Sequence, residues 1–159
     1  MTIVVEDGSQ VVGANSYVTE AELTAYAVAR GITISGDPEE LLIRAMDYLE
    51  NQEFIGTKYQ HDQALQWPRA YVIIDKFYFD VDEIPPLLKD SQCEIALAID
   101  NGEDPLADVE RQKISTTVGP ISVTYAQGQS TTIVRKISSK LRKLLAGSAS
   151  GASFRVDRG

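Results

Sequence analysis

The sequence is short of the residues on which most site chemistry is built. Among 159 residues there is one cysteine and one histidine. A lone Cys93 excludes an internal disulfide and suits a reducing compartment. A lone His61, with no second thiol, excludes a transition-metal centre of the usual nitrogen–sulfur kind. In its polar setting (Tyr59-Gln60-His61-Asp62) that histidine reads as solvated rather than catalytic. No G-x-S-x-G, H-E-x-x-H or glycine-rich phosphate loop occurs. The glycines at 147 and 151 follow a helical pattern instead of opening one, so they read as linker. Long apolar runs are also missing: nothing approaches the ~20 residues needed to cross a bilayer. The first seven residues lack the basic and apolar regions of a signal peptide, so a cytosolic origin is expected.

Positive charge is scarce as well, and unevenly spread. Fifteen Lys and Arg face 23 Asp and Glu, a formal net charge of −8. That balance disfavours a diffuse nucleic-acid or anionic-membrane surface, because polyanions are repelled at long range. Residues 1–134 carry a net −14, whereas residues 135–159 carry +6, from Arg135, Lys136, Lys140, Arg142, Lys143, Arg155 and Arg158 against Asp157 alone. A chain polarised in this way suggests self-assembly or docking on an acidic partner.

What is present is helix punctuation. Thr19 and Glu22 form a capping box, with Val18 and Leu23 placed as a hydrophobic staple, and Gly31 is a left-handed stop after a helix to about residue 30. Asp37, Pro38, Glu39 and Glu40 open a second helix, with Leu41, Leu42, Ala45, Tyr48 and Leu49 on one face. A third starts near Pro85-Pro86 and ends at Asn101-Gly102; its inward face is Leu88, Ile95, Ala98 and Ile99, with Cys93 as a small core residue. A fourth is expected over 132–146, with Ile133, Val134, Ile137, Leu141, Leu144 and Leu145 on one arc. Ile3-Val4-Val5 reads as a short strand. Around Gly119-Pro120, a type II′ turn would pair Val118 with Ile121, Thr116 with Val123 and Ile114 with Tyr125, on one face of a hairpin. Residues 54–84 hold seven aromatics with no sustained period and read as a long ordered loop with room for a short strand or helical turn.

The expected fold class is therefore mainly α: a small bundle of about four helices with a β-hairpin at about 112–126 and an extended C-terminal arm. One domain spans 1–147, and 148–159 form a flexible linker and arm. The acidic groups Asp80/Asp82/Glu83 and Glu103/Asp104/Asp108 fall at loops and helix ends, where capping and solubility account for them. Trp67, Tyr71, Phe77 and Tyr78 have the chemistry to stack single-stranded bases. Residues 54–84 carry three basic and five acidic side chains, however, so these aromatics read as core. No catalytic residue, metal ligand or cofactor site is expected.

Several segments together carry a resemblance. They are Val5-Glu6-Asp7-Gly8 with Gly13-Ala14-Asn15-Ser16-Tyr17-Val18; Ile43-Arg44-Ala45-Met46-Asp47-Tyr48-Leu49 before Ala64-Leu65-Gln66-Trp67-Pro68-Arg69; Val118-Gly119-Pro120-Ile121; and Arg155-Val156-Asp157-Arg158-Gly159. In this order and spacing the chain resembles the head–tail connector (adaptor) proteins of tailed bacteriophages, a group also labelled DnaT-like single-stranded-DNA-binding proteins. The resemblance implies a ring, commonly twelve-fold, at the head–tail junction of a virion, made in the host bacterial cytoplasm. Implied partners are the portal protein, a tail-completion or terminator protein and further copies of the chain, with double-stranded DNA passing non-specifically. Phe154, Arg155, Val156 and Arg158 would bind the portal or a neighbour. Arg135, Lys140, Arg142, Lys143, Ile121 and Val123 would form the assembly interface. The alternative implied function is single-stranded-DNA binding through Arg135, Lys140, Arg142 and Lys143.

Overall fold

The computed structural model describes residues 2–103, 105–106, 137 and 139–147, and the backbone of 113–117 and 122–125. Its first helix, α1 (Glu20–Val28), begins where the capping box requires. The Thr19 hydroxyl accepts from the Glu22 N–H, and the Glu22 carboxylate accepts from the Thr19 N–H. It ends in a Schellman pattern: Ile32 N–H reaches the Ala27 carbonyl and Gly31 sits at φ +68°. Helix α2 (Pro38–Glu50) is capped by Asp37, whose carboxylate accepts from the Glu39 N–H at 3.0 Å. Its expected apolar face is buried, with Met46 added.

The aromatic segment after α2 is ordered and carries short strands. It folds into two small antiparallel ladders: β1 (Thr57–Lys58) with β2 (Arg69–Ala70), and β3 (Ile73–Ile74) with β4 (Phe77–Tyr78). Helix α3 (Pro86–Asp100) follows, with α2 as its main neighbour and α1 lying against both. Strands β5 (Lys113–Thr117) and β6 (Ser122–Tyr125) pair antiparallel through Thr117↔Ser122, Thr116↔Val123 and Ser115↔Thr124, the expected register. An irregularity then moves Tyr125 from Ile114 to Lys113. The turn at 118–121 lies outside the described residues.

The mainly-α bundle expected from the sequence is thus corrected. The protein is mixed α/β: the described residues include helices α1–α3, helical residues at 137 and 139–141, and three separate two-stranded antiparallel sheets. Two physical causes account for the difference. In the 54–84 segment the β-branched and aromatic pairs Ile73-Ile74 and Phe77-Tyr78 flank a two-residue turn and close a local ladder, and the segments on either side of residues 59–68 pair as β1 and β2, all without any long period. The C-terminal helical stretch also stops early. Residues 137 and 139–141 are helical, but the chain then turns, and Leu145 bridges antiparallel to Phe54. Ile55 N–H donates to the Leu144 carbonyl and Ala146 N–H to that of Glu53, so tertiary pairing replaces the expected helix up to 146. Residues 132–136 of that helix, and the arm at 148–159, lie outside the described residues.

Ile3-Val4-Val5 likewise forms only a single bridge, Val5↔Ser16, rather than a strand. One core joins all three helices to this scaffolding, with Tyr17, Leu23, Leu42, Leu49, Trp67, Leu88, Ile95, Ile137, Leu141 and Leu144 fully enclosed. Among the described residues no helix is long and apolar enough to cross a membrane.

Candidate functional site

Described residues from the N-terminal and middle segments that carried the resemblance, together with Glu50 and Gln92, build an internal polar scaffold. Glu6 is fully buried, and its carboxylate accepts from the N–H groups of Gly8, Gln10 and Val11 at 2.8–3.0 Å. Three backbone donors satisfy the buried charge and fix the loop. Gly8, at φ +110°, lies so close to the segment before α3 that an added Cβ would stand 1.8 Å from the Asp82 carbonyl oxygen. Next along the chain, Tyr17 N–H donates to the Gln92 side-chain oxygen at 2.9 Å. The Gln92 amide donates in turn to the Ser16 hydroxyl and the Leu42 carbonyl. This one glutamine ties the N-terminal segment to α2 and α3.

A second knot centres on Glu50. It accepts from the Tyr17 hydroxyl and the Gln66 N–H, both at 3.0 Å, and the Trp67 N–H reaches the same tyrosine oxygen at 3.2 Å. Burial pushes the Tyr17 hydroxyl well above its usual range and raises the Glu50 carboxyl, the latter against the hydrogen bonds that favour its anion. Trp67 precedes a cis peptide bond to Pro68 and packs edge-to-face on Phe54 and Phe79, at centroid distances of 6.0 and 6.1 Å. Arg69 is buried, and its guanidinium donates to the carbonyls of Phe54, Ile55, Gly56 and Gln66 and to the Gln66 side chain. It works as a clasp on the backbone at 54–56. Desolvation lowers its basicity, while Tyr17 and Glu50 act in the other direction.

Of the expected assembly residues, Arg135, Ile121, Phe154, Arg155, Val156 and Arg158 lie outside the described residues, and Val123 is placed as a β6 backbone position opposite Thr116. The other three do not form one patch. Lys140 turns to α1 and α3: its ammonium meets Glu94 at 2.6 Å and the Tyr26 hydroxyl at 3.2 Å. Desolvation opposes that charge, but Glu94 and Tyr26 outweigh it and the ammonium is held above its ordinary range. Lys143 faces the opposite neighbour, Asp75 of the β3–β4 turn, at 2.6 Å. Arg142 is exposed beside it on the same groove.

Among the aromatics the core expectation holds for Trp67 and fails for three others. Tyr71, Phe77 and Tyr78 are 83%, 77% and 83% exposed, and Ile73 is half exposed. Ile73, Phe77 and Tyr78 stand on the β3–β4 hairpin, and Tyr71 lies just before it, between β2 and Val72. Asp75 and Lys76, both in the left-handed region at φ 51° and 74°, make its two-residue turn. At its base, Phe79 N–H donates to the carbonyl of the buried Val72. The signal was present in Ile73-Ile74-Asp75-Lys76-Phe77-Tyr78, two β-forming pairs around a turn. Its weakness was that Asp-Lys lacks the glycine that usually announces such turns. Between the hairpin and the chain after the last helical turn lies a groove of about 340 Å³. Among the described residues no cluster of three His, Cys, Asp or Glu side chains is arranged to hold a metal ion.

Fold and surface together define a small mixed α/β protein with an internal polar scaffold and a projecting aromatic hairpin. Across residues 1–159 the sequence matches the family described as "Putative DnaT-like ssDNA binding protein", and the chain belongs to that family. The description names the second of the two functions implied by the resemblance. No curated protein and no solved structure matches the chain.

Proposed function

We propose that the protein binds single-stranded DNA by stacking unpaired bases on the β3–β4 hairpin. The observation that carries the reading is the exposure of Phe77 and Tyr78 on the hairpin and of Tyr71 just before it, supported by the description of the family. Water-exposed rings of this size gain by stacking, and every base offers a π-face; each base–aromatic contact is worth about 1–3 kcal/mol. The acidic balance of the chain opposes binding at long range, so affinity rests on stacking and on local cations. Fluorescence anisotropy with a labelled oligothymidylate at ~50 mM salt tests this. Wild-type protein is expected to retain the strand, and the triple change Tyr71→Ser, Phe77→Ser, Tyr78→Ser to release it. Failure of wild type to retain it removes the reading.

A second reading keeps the chain as a ring-forming adaptor between portal and tail in a virion. One observation favours it: Lys140 and Lys143 are paired within the chain with Glu94 and Asp75, which leaves the acidic character of the body dominant around any DNA channel. The aromatic hairpin would then meet protein. Electron microscopy with and without a portal protein separates the readings, since this one requires closed rings. Deletion of residues 154–159 should abolish head–tail joining.

A further inference from the structure

We infer that the groove beside the β3–β4 hairpin is a nucleotide subsite, in which Lys143 holds a backbone phosphate and Asp75 is the group that the phosphate displaces. The inference rests on the single-stranded-DNA reading and gives it a location and a specificity residue. The groove, about 340 Å³, has an apolar floor that includes Ile73, Ile74 and Leu145, and a polar rim of Asp75, Arg142 and Lys143. That size lies at the lower end of small-molecule sites, roughly 300–1,000 Å³. An apolar floor beneath a rim with two cations and one carboxylate suits a ligand with a flat, weakly polar body and an anionic edge. A nucleotide of a single strand has both parts. Continuity supports the same occupant, because Ile73 of the floor is the cross-strand partner of Tyr78, so a strand leaving the groove meets an exposed ring on the next step.

The Lys143–Asp75 pair makes the site conditional. Its two charges touch at 2.6 Å, yet both side chains are more than half exposed. A pair so open to solvent is held weakly. A phosphate can therefore take the place of the Asp75 carboxylate on the lysine, and the freed carboxylate is rehydrated. Asp75 thus lowers affinity for any polyanion that cannot also fill the apolar floor. A rigid duplex, whose bases face inward, is rejected, while an unpaired base is accepted.

The test uses the full chain and a labelled oligothymidylate. Asp75→Asn keeps the turn, because asparagine readily adopts the left-handed conformation that Asp75 has at φ 51°. It is expected to tighten binding several-fold, with a gain for duplex DNA at least as large. Lys143→Gln is expected to weaken binding several-fold and to reduce the salt slope by about one. The double variant should behave like Lys143→Gln alone. A thymidine dinucleotide should compete at concentrations where inorganic phosphate does not; equal competition by phosphate would reduce the groove to a simple anion site and overturn the proposal. If wild type binds and the aromatic triple variant does not, while Asp75→Asn and Lys143→Gln match wild type, the subsite is wrong and the stacking reading stands. If neither wild type nor Asp75→Asn retains the strand, both fall.

Discussion

Two polar regions of this protein use similar residues to opposite ends. Around Glu6, Tyr17, Glu50, Arg69 and Gln92, charged and polar groups are enclosed and nearly every donor meets a fixed acceptor. On and just before the β3–β4 hairpin, Asp75, Lys76 and three aromatic rings face water, and the Asp75–Lys143 ion pair is open to solvent. Enclosed hydrogen bonds to charge are costly to break, because the remaining partner is stranded without water. Solvent-exposed groups can exchange partners at little cost. The difference teaches that the most recognisable motifs of the sequence hold the fold, while the exposed aromatic surface sits in a segment with no conspicuous motif.

The comparison can be broken most sharply at Arg69. Arg69→Ala leaves four backbone carbonyls without their donor, and a loss of about 3 kcal/mol or more is expected in urea titrations. Arg69→Lys should recover little, since an ammonium cannot span carbonyls at 54–56 and 66 together. Gly8→Ala is next. The new methyl would collide with the Asp82 carbonyl in a backbone conformation unfavourable to alanine, which should cost roughly 1–3 kcal/mol.

Hairpin substitutions should behave in the reverse manner. Phe77→Ser and Tyr78→Ser are expected to change stability by no more than ~0.5 kcal/mol. Each should lower single-strand affinity by about tenfold, the lower part of the range for one stacked base. Cys93 provides a control: it is buried on α3 with its thiol pushed up to about 12, chiefly by desolvation. It should resist alkylation at neutral pH in wild type and hairpin variants alike, but become reactive in Arg69→Ala as the core opens.

The smallest effect concerns pH. Burial holds the Glu50 proton more tightly in the folded chain than the ordinary value of 4.5. A carboxyl raised in this way favours the folded state when protonated and loses that contribution as pH rises from 4.5 through its folded value. Glu50→Gln has no proton to lose. The stability of wild type relative to this variant should therefore decline as pH rises above 4.5, read from denaturation midpoints. A gap that widens in favour of wild type with rising pH would show that hydrogen bonds from Gln66 and Tyr17 outweigh desolvation.

Much of this molecule was legible because the relevant forces act within a few residues. The capping box at Thr19 and Glu22, the Asp37-Pro38 start, the glycine stops at 31 and 102 and the apolar face of α2 depend on neighbours three or four positions away, and each is in place. The core role of Trp67 and Cys93 followed from their size and polarity. The limits were equally physical. An aromatic residue has the same composition whether it is enclosed or exposed, so Trp67 and Tyr78 could not be separated without knowing which side of a ladder meets the core. Residues 144–146 continue a helical pattern, but their backbone groups find partners at 53–55, distant along the chain. Lys140 and Lys143 share a basic segment, yet Glu94 and Asp75 draw them to different neighbours. By itself the sequence determined the boundaries of α1, α2 and α3, their apolar faces and the charge polarity, all of which follow from local geometry or from counting. Tertiary structure alone decided that Glu6 and Arg69 are enclosed clasps, that the aromatic hairpin projects, and that Asp75 stands against Lys143, because each depends on contacts between segments distant along the chain.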